Sequence, residues 1–191
     1  GSLPEDDARS VFRSVLQCCV DMQSRGLIHR DVKLENIMMT YPHDFHNGVK
    51  LVDFGMATDV RLNGPPSQGC GTPLCVAPEV IKAAGLARSL GQDVKPGDGS
   101  HTTAVASYGH ECDVWSAGVA LYTMLSGQPV FQATNMEALF ACILGGKYNF
   151  NDPAWCMVSE SAKDLVARCL TVDPASRITA RQALQHRWLQ E

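Results

Sequence analysis

The part of this 191-residue chain that decides its fold is residues 29–36, with the sequence HRDVKLEN. It lies between two short apolar runs, Gly26-Leu27-Ile28 and Ile37-Met38-Met39. Two further motifs follow in order, Asp53-Phe54-Gly55 and Ala77-Pro78-Glu79. A lone Asp-Phe-Gly is common by chance, whereas the ordered set of three motifs is not.

This ordered set resembles the signature of protein kinases, in which a catalytic loop, a DFG motif and an APE motif follow one another. The resemblance covers nearly all of the chain apart from an insertion at about residues 85–108. The chain end resembles the calcium/calmodulin-dependent kinase group, with Ile178-Thr179-Ala180, Ala183-Leu184 and His186-x-Trp188. Lys33, two residues after Asp31, favours serine/threonine over tyrosine specificity.

The resemblance implies transfer of the ATP γ-phosphoryl group to a protein hydroxyl, a reaction that depends on positioning and charge neutralisation. Asp31 would accept the proton of the incoming hydroxyl, and Lys33 would neutralise charge that develops on the γ-phosphate. Thr72 would form hydrogen bonds with Asp31 and Lys33. The simpler interpretation, in which His29 and Asp31 fix a surface turn between two strands, is disfavoured by the motifs that follow.

The predicted cofactors are ATP and Mg²⁺. Asn36 and Asp53 supply the oxygen ligands that Mg²⁺ prefers, and they are the predicted metal ligands. The resemblance also places Lys33, Glu35 and Met38 at the nucleotide, with Met38 under the adenine ring. An ordinary core methionine is the other interpretation of Met38, and the two are compatible.

Two long-range contacts are also implied by the resemblance. Glu79 would form a buried ion pair with Arg177, near the chain end. Asp113 would accept hydrogen bonds from the backbone of His29 and Arg30. Asp113 begins an apolar stretch that runs to about Ser126, and a helix that is apolar nearly all round is a buried one.

The predicted fold class is α+β and mainly α: a kinase-like C-terminal large lobe, built as a helical bundle with one small β-hairpin region. That hairpin region would carry the catalytic loop and the DFG motif, and Asn47-Gly48 is a hairpin signal. Residues 1–191 would form a kinase domain limited to this lobe, with a flexible insertion at about 85–108. Neither a G-x-G-x-x-G loop nor a V-A-I-K strand precedes the first helix, so the small N-terminal lobe is expected to be absent.

Two consequences follow from that expectation. The chain alone would transfer phosphate poorly, because half of the ATP site would be missing. The surface that meets the small lobe would be partly exposed and apolar. The predicted partners are a protein substrate and the missing N-terminal lobe.

Charge and composition indicate which kinds of partner and which cellular location to expect. The net charge is −4 without a basic run, so no nucleic-acid partner and no anionic membrane is predicted. No apolar stretch approaches the length of a membrane span. Eight cysteines without C-x-x-C spacing indicate reduced, buried thiols in a cytoplasmic or nuclear protein. A redox switch between Cys70 and Cys75 is the alternative.

Two other functions compete with the enzyme. A truncated kinase-like chain could act as a binding or scaffold module without catalysis, although the intact Asp31, Lys33, Asn36 and Asp53 disfavour this interpretation. A small-molecule phosphotransferase of related fold would also use an aspartate base. The APE motif disfavours that class, because it belongs to kinases with protein substrates.

Overall fold

Eight α-helices and four short β-strands make up the regular structure of the residues that the computed structural model describes, which are 1–41, 44–45, 48–85 and 107–191. The helices are α1 (Glu5–Ser24), α2 (Val60–Asn63), α3 (Pro78–Ala83), α4 (Glu111–Ser126), α5 (Met136–Leu144), α6 (Glu160–Cys169), α7 (Ala180–Ala183) and α8 (Arg187–Gln190). The strands are β1 (Leu27–Ile28), β2 (Ile37–Met39), β3 (Val49–Leu51) and β4 (Thr58–Asp59). The predicted insertion lies almost entirely outside these residues. None of the helices in the described ranges is long and apolar enough to cross a membrane.

Helix α1 leads directly into the HRDVKLEN segment. Three acidic residues occupy its first turn, where they face the positive end of the helix dipole. Its apolar residues recur at helical spacing, and the face that they form is buried against α4. Gly26 follows with a φ of 70°, a left-handed conformation that glycine adopts without steric penalty. The chain therefore turns into β1 directly after the helix.

Helix α4 is the centre of the core. Nearly all of its residues are buried, as predicted from its apolar sequence. It packs against α1 on one side and α6 on another. A Cβ atom at Gly118 would lie 2.6 Å from the Cβ of Cys169, so glycine is required where α4 and α6 approach each other.

Two separate two-stranded sheets flank the HRDVKLEN segment. Strand β2 pairs antiparallel with β3, with Met38 opposite Lys50. Strand β1 pairs antiparallel with β4, with Ile28 opposite Thr58. The predicted fold class, with its single β-hairpin region, was therefore wrong. The physical reason is that β1 and β4 are far apart in sequence, whereas hairpin signals report only neighbouring strands.

Arg177 forms a buried, two-pronged ion pair with Glu79, which confirms the predicted contact. The Nη1–Oε1 distance is 2.6 Å and the Nη2–Oε2 distance is 2.8 Å. Nη1 also donates to the carbonyl of Glu111 at 2.7 Å, and the guanidinium lies 5.1 Å from the ring centre of Trp115. The pair therefore joins α3, the start of α4 and the segment before α7.

We expect the substitution Arg177→Met to lower the free energy of unfolding by about 3–5 kcal/mol, because it leaves the Glu79 carboxylate buried without its partner. Urea unfolding of the purified chain measures this change. The control is Arg168→Met, which removes a more exposed ion pair with Asp164 and is expected to cost about 0–1 kcal/mol. Equal losses in the two variants would contradict the structural role of Arg177.

Candidate active site

The segment between β1 and β2 is anchored to helix α4 by a buried carboxylate. Asp113, in the first turn of α4, accepts hydrogen bonds from the backbone N–H groups of His29 at 2.8 Å and Arg30 at 2.9 Å. These are the predicted contacts, and they are confirmed. Burial raises the pKa of Asp113, against the opposing effect of its two N–H donors. Arg30 has a left-handed φ of 69°, which turns the chain over this anchor.

Three of the predicted site residues, Lys33, Asn36 and Thr72, meet around the carboxylate of Asp31. Its Oδ1 accepts hydrogen bonds from the Thr72 backbone N–H at 3.1 Å and the Thr72 hydroxyl at 2.8 Å. Its Oδ2 lies 2.7 Å from Lys33 Nζ and accepts from Asn36 Nδ2 at 3.1 Å. Lys33 Nζ also donates to Thr72 Oγ1 at 2.8 Å. Residues that are far apart in sequence thus form one hydrogen-bonded cluster, which we call the Asp31 cluster (Asp31, Lys33, Asn36 and Thr72).

The charges of the Asp31 cluster stabilise each other. Burial alone would raise the pKa of Asp31, but the hydrogen bonds from Lys33 and Thr72 outweigh this effect and lower that pKa below its ordinary value. The hydrogen bond to Asp31 raises the pKa of Lys33 in turn. The site therefore holds an ionised carboxylate beside an ammonium group at neutral pH.

Asp53 is tied to the same segment through its two neighbours. The carbonyl of Val52 lies 3.2 Å from His29 Nε2, and the ring of Phe54 lies 4.9 Å from the ring of His29. The N–H of Val52 also donates to the carbonyl of Asn36 at 2.9 Å. His29 is thus a positioning residue that the sequence reasoning missed, and its place in the HRDVKLEN motif was the one signal available.

The side chain of Asp53 itself is exposed, and its φ of 63° is left-handed. Within the described residues its carboxylate accepts only from the N–H of Gly55, at 3.2 Å. Among the described residues, Asp53 forms no hydrogen bond with the Asp31 cluster. Glu35 and Met38 also stay outside the cluster, with exposed side chains. Met38 is 53% exposed, so the alternative interpretation as a core methionine is wrong.

The oxygen donors at the site fit Mg²⁺ bound together with a nucleotide. Asn36 uses its amide nitrogen for both hydrogen bonds to Asp31, and its amide oxygen accepts none from the described part of the chain. That oxygen and the Asp53 carboxylate are hard ligands of the kind that Mg²⁺ takes. No cluster of three or more His, Cys, Asp or Glu residues able to hold a metal occurs in the described ranges. Mg²⁺ is commonly held by one or two carboxylates together with substrate phosphates.

The cysteines of this region are thiols. All eight cysteines of the chain, Cys70 and Cys75 included, are unpaired in the structure. The Cys70 sulfur lies 3.6 Å from the hydroxyl of Tyr108. Burial, followed by the negative charges of Glu35 and Asp31, raises the pKa of Cys75 to about 12.

Comparison with known proteins agrees with this geometry. The protein kinase domain model matches residues 1–189. The chain is 33% identical to mouse serine/threonine-protein kinase 33, over 99% of this chain and 36% of that protein. It is 37% identical to human serine/threonine-protein kinase DCLK3, over 98% and 26% respectively. It is 36% identical to calcium/calmodulin-dependent protein kinase type 1 of Caenorhabditis briggsae, over 99% and 46%.

The chain belongs to the protein kinase domain family. Members of this family use ATP with Mg²⁺ and act on protein substrates. The chain spans between about a quarter and a half of the length of these three relatives.

The family match also corrects the second part of the predicted fold class, the large lobe without its small lobe. The protein kinase domain model matches residues 1–189 of the 191, so the chain is a truncated kinase fold. Neither the family match nor the two small sheets shows that one lobe is present and the other absent. Missing motifs are a weak guide here, because they report chemistry at single positions rather than the structure around them. The expected weak phosphate transfer depended on that absence and has no support from the match.

We expect thiol labelling to separate the cysteines by pH, because the thiolate is the reactive form. Cys75 has a pKa of about 12, so at about pH 8 its thiolate fraction is on the order of one in ten thousand. Its alkylation by iodoacetamide should therefore be very slow near neutrality and should accelerate as the pH rises toward 12. Mass spectrometry of the labelled native chain measures this, with the exposed Cys156 as the fast control. Equal labelling of Cys75 and Cys156 at pH 8 would contradict the buried environment, and a Cys70–Cys75 disulfide would revive the redox switch.

Proposed function

We propose that this protein is a serine/threonine protein kinase, which transfers the γ-phosphoryl group of ATP to serine or threonine hydroxyls of a protein substrate. The observation that carries the proposal is the Asp31 cluster, in which one carboxylate is kept ionised by Lys33 and Thr72. The names of the relatives support the same class, since they include serine/threonine kinases from mouse and human. The similarity to a calcium/calmodulin-dependent kinase supports a place in that group.

Asp31 is the proposed base. Its Oδ2 lies 2.7 Å from Lys33 and its Oδ1 is held by Thr72, so the carboxylate has a fixed direction before a substrate arrives. A base held in this way takes the proton of the incoming hydroxyl as the oxygen attacks. Its lowered pKa keeps the carboxylate ionised at neutral pH, with less basicity than an ordinary aspartate.

Lys33 has two proposed tasks. Its ammonium group orients Asp31, and it offers a positive charge to the phosphoryl group during transfer. Lys33 Nζ also donates a hydrogen bond to Thr72 at 2.8 Å, so one ammonium group contacts both the base and Thr72. Thr72 is thus a positioning residue as well as a partner of Asp31. It links the activation segment, residues 53–79 from the DFG motif to the APE motif, to the base.

Asn36 and Asp53 are the proposed Mg²⁺ ligands. When bound, Mg²⁺ would neutralise phosphate charge and orient the γ-phosphoryl group for in-line transfer. Asn36 is held by two hydrogen bonds to Asp31, and Asp53 is exposed toward solvent. Lys33, Glu35 and Met38 are the further residues proposed to contact ATP.

The location of the protein is also a proposal. The eight unpaired cysteines support a reducing compartment such as the cytoplasm or the nucleus. The proposed partner is a protein substrate.

We expect Asp31→Asn to lower the rate of phosphoryl transfer by about 10²–10⁴-fold, which is the usual contribution of a positioned base. Transfer of radiolabel from ATP to a serine-containing peptide measures the rate. The control is Asp6→Asn on α1, which removes an exposed carboxylate paired with Arg9 and should leave the rate unchanged. Circular dichroism checks that both variants are folded. Transfer within threefold of the original rate after Asp31→Asn would refute the base.

Binding of Mg²⁺ with ATP separates the enzyme from the scaffold alternative. We expect ATP with Mg²⁺ to raise the midpoint of thermal unfolding more than ATP alone, because a ligand that binds only the folded state stabilises it. The substitution Asp53→Asn should remove the Mg²⁺-dependent part of this shift, since it replaces a charged ligand by a neutral one. The same Asp6→Asn variant is the control. A chain that shows no Mg²⁺-dependent shift would favour the scaffold module.

A further inference from the structure

Tyr108, the last residue of the predicted insertion, is buried against the activation segment, with 5% of its surface exposed. Its backbone N–H donates to the carbonyl of Pro66 at 3.1 Å. Its hydroxyl donates to the carbonyl of Gln68 at 2.8 Å, and the hydroxyl oxygen lies 3.6 Å from the sulfur of Cys70. One residue therefore contacts the activation segment at three positions.

The hydroxyl of Tyr108 stays protonated at neutral pH. Burial, followed by the hydrogen bond with Cys70, raises its pKa, and the nearby guanidinium of Arg30 opposes this effect only in part. A tyrosine hydroxyl has one proton to donate, and the carbonyl of Gln68 accepts it. In the contact with Cys70 the thiol is therefore the donor. The hydroxyl thus joins two residues of the activation segment.

The residues next to these contacts are packed closely on two sides. A Cβ atom at Gly69 would lie 2.4 Å from the Cβ of Ala84, which follows α3. A Cβ atom at Gly71 would lie 2.7 Å from the carbonyl oxygen of Arg30, and Gly71 has a left-handed φ of 108°. The backbone of residues 69–71 is therefore packed between the end of α3 and the catalytic loop.

Thr72 comes directly after this packed stretch. Its N–H and its hydroxyl donate to Oδ1 of Asp31 at 3.1 and 2.8 Å. Beyond Thr72 the segment is fixed at Cys75, whose carbonyl accepts a hydrogen bond from Ser116 on α4 at 2.8 Å. Thr72 therefore lies between two held points of the segment, one at Tyr108 and one at Ser116.

Tyr108 and Asp113 lie at the same end of α4. The N–H of Asp113 donates to the carbonyl of His110 at 3.2 Å, so one short turn separates Tyr108 from Asp113. Asp113 holds the catalytic loop, whereas Tyr108 holds the activation segment. Asp31 and Thr72 are thus positioned relative to one helix end.

We propose that Tyr108 is a positioning residue for phosphoryl transfer, whose hydroxyl holds residues 68–72 against the catalytic loop so that Thr72 reaches Asp31. The proposal rests on the proposed kinase function. The described hydrogen bonds of Tyr108 go to the activation segment and to Arg30, and not to the residues proposed to bind ATP or Mg²⁺. Loss of the hydroxyl should therefore slow the chemical step and leave ATP binding unchanged.

The substitution Tyr108→Phe keeps the ring and removes the hydroxyl. We expect kcat to fall by about three- to tenfold, the effect of one net hydrogen bond, while KM for ATP changes by less than about twofold. Transfer of radiolabel from ATP to a serine-containing peptide measures both quantities.

The matched control is Tyr122→Phe, which removes another buried tyrosine hydroxyl, one that donates to the carbonyl of Asn149 at 2.9 Å. This variant loses the same kind of hydrogen bond away from the Asp31 cluster. We expect similar losses of thermal stability in the two variants, because each loses one buried hydrogen bond. Only Tyr108→Phe should lower kcat.

Hydrogen exchange at the Thr72 amide tests the position of Thr72 without any reaction. This N–H is bonded to Asp31, so its exchange reports how often that contact opens. We expect exchange to be faster in Tyr108→Phe by up to about tenfold, as the loss of one hydrogen bond implies, and unchanged in Tyr122→Phe. Nuclear magnetic resonance of the labelled chains measures the rates.

The substitution Thr72→Val tests whether Tyr108 acts through Thr72. Two residues that act through one contact give combined effects smaller than the product of the single effects. We expect Tyr108→Phe to lower kcat by a smaller factor in a Thr72→Val chain than in the original chain. Equal factors in the two chains would refute the inference.

The outcomes distinguish this inference from the kinase proposal. A chain that transfers no phosphate, with faster Thr72 exchange only in Tyr108→Phe, would refute the kinase activity and support the hold of Tyr108 on Thr72. A chain that transfers phosphate, with kcat unchanged in Tyr108→Phe or lowered equally in Tyr122→Phe, would refute the inference alone. A Tyr108→Phe chain that does not fold also refutes it, because the hydroxyl would then serve the fold rather than the base. No transfer and unchanged exchange would refute both.

Discussion

The structure depends on one buried carboxylate, that of Asp113, which accepts the backbone N–H groups of His29 and Arg30. A buried charge is tolerated only when hydrogen bonds replace the water it has lost, and here the loop supplies them. The N–H groups gain at the same time, because buried backbone donors also need partners. Helix α4 is fixed by its apolar packing, so hydrophobic burial at the centre of the chain sets the direction of a polar loop at its surface.

The second half of the site is anchored to the same helix. Ser116 holds the carbonyl of Cys75, and Arg177 lies against Trp115 while it pairs with Glu79. The activation segment is therefore fixed at its end to the first turns of α4, next to the residue that fixes the catalytic loop. Thr72 meets Asp31 because both of their segments are fastened to one rigid element. The hydrogen bond between them at 2.8 Å thus joins two segments that have little regular structure of their own.

Sequence reasoning succeeded where one motif fixes one partner, as with Asp113 and with the pairing of Glu79 and Arg177. It failed where the structure depends on strands distant in sequence. The pairing of β1 with β4 leaves no periodic signal, because each strand has only two residues. The prediction of a lobe without its counterpart failed for another reason, since it was drawn from motifs that were not found.

The two aspartates of the site differ in environment in the way that their proposed roles require. Asp31 is buried, and both of its carboxylate oxygens are held by hydrogen bonds. A base needs this, because its direction and its ionised state must be set before the substrate arrives. Asp53 is exposed, in a left-handed conformation that is uncommon for residues other than glycine. Such conformations persist where surrounding contacts enforce them, and here Val52 and Phe54 are both held by His29. A metal ligand needs oxygens that the protein has not already used, and among the described residues the Asp53 carboxylate accepts only from the N–H of Gly55.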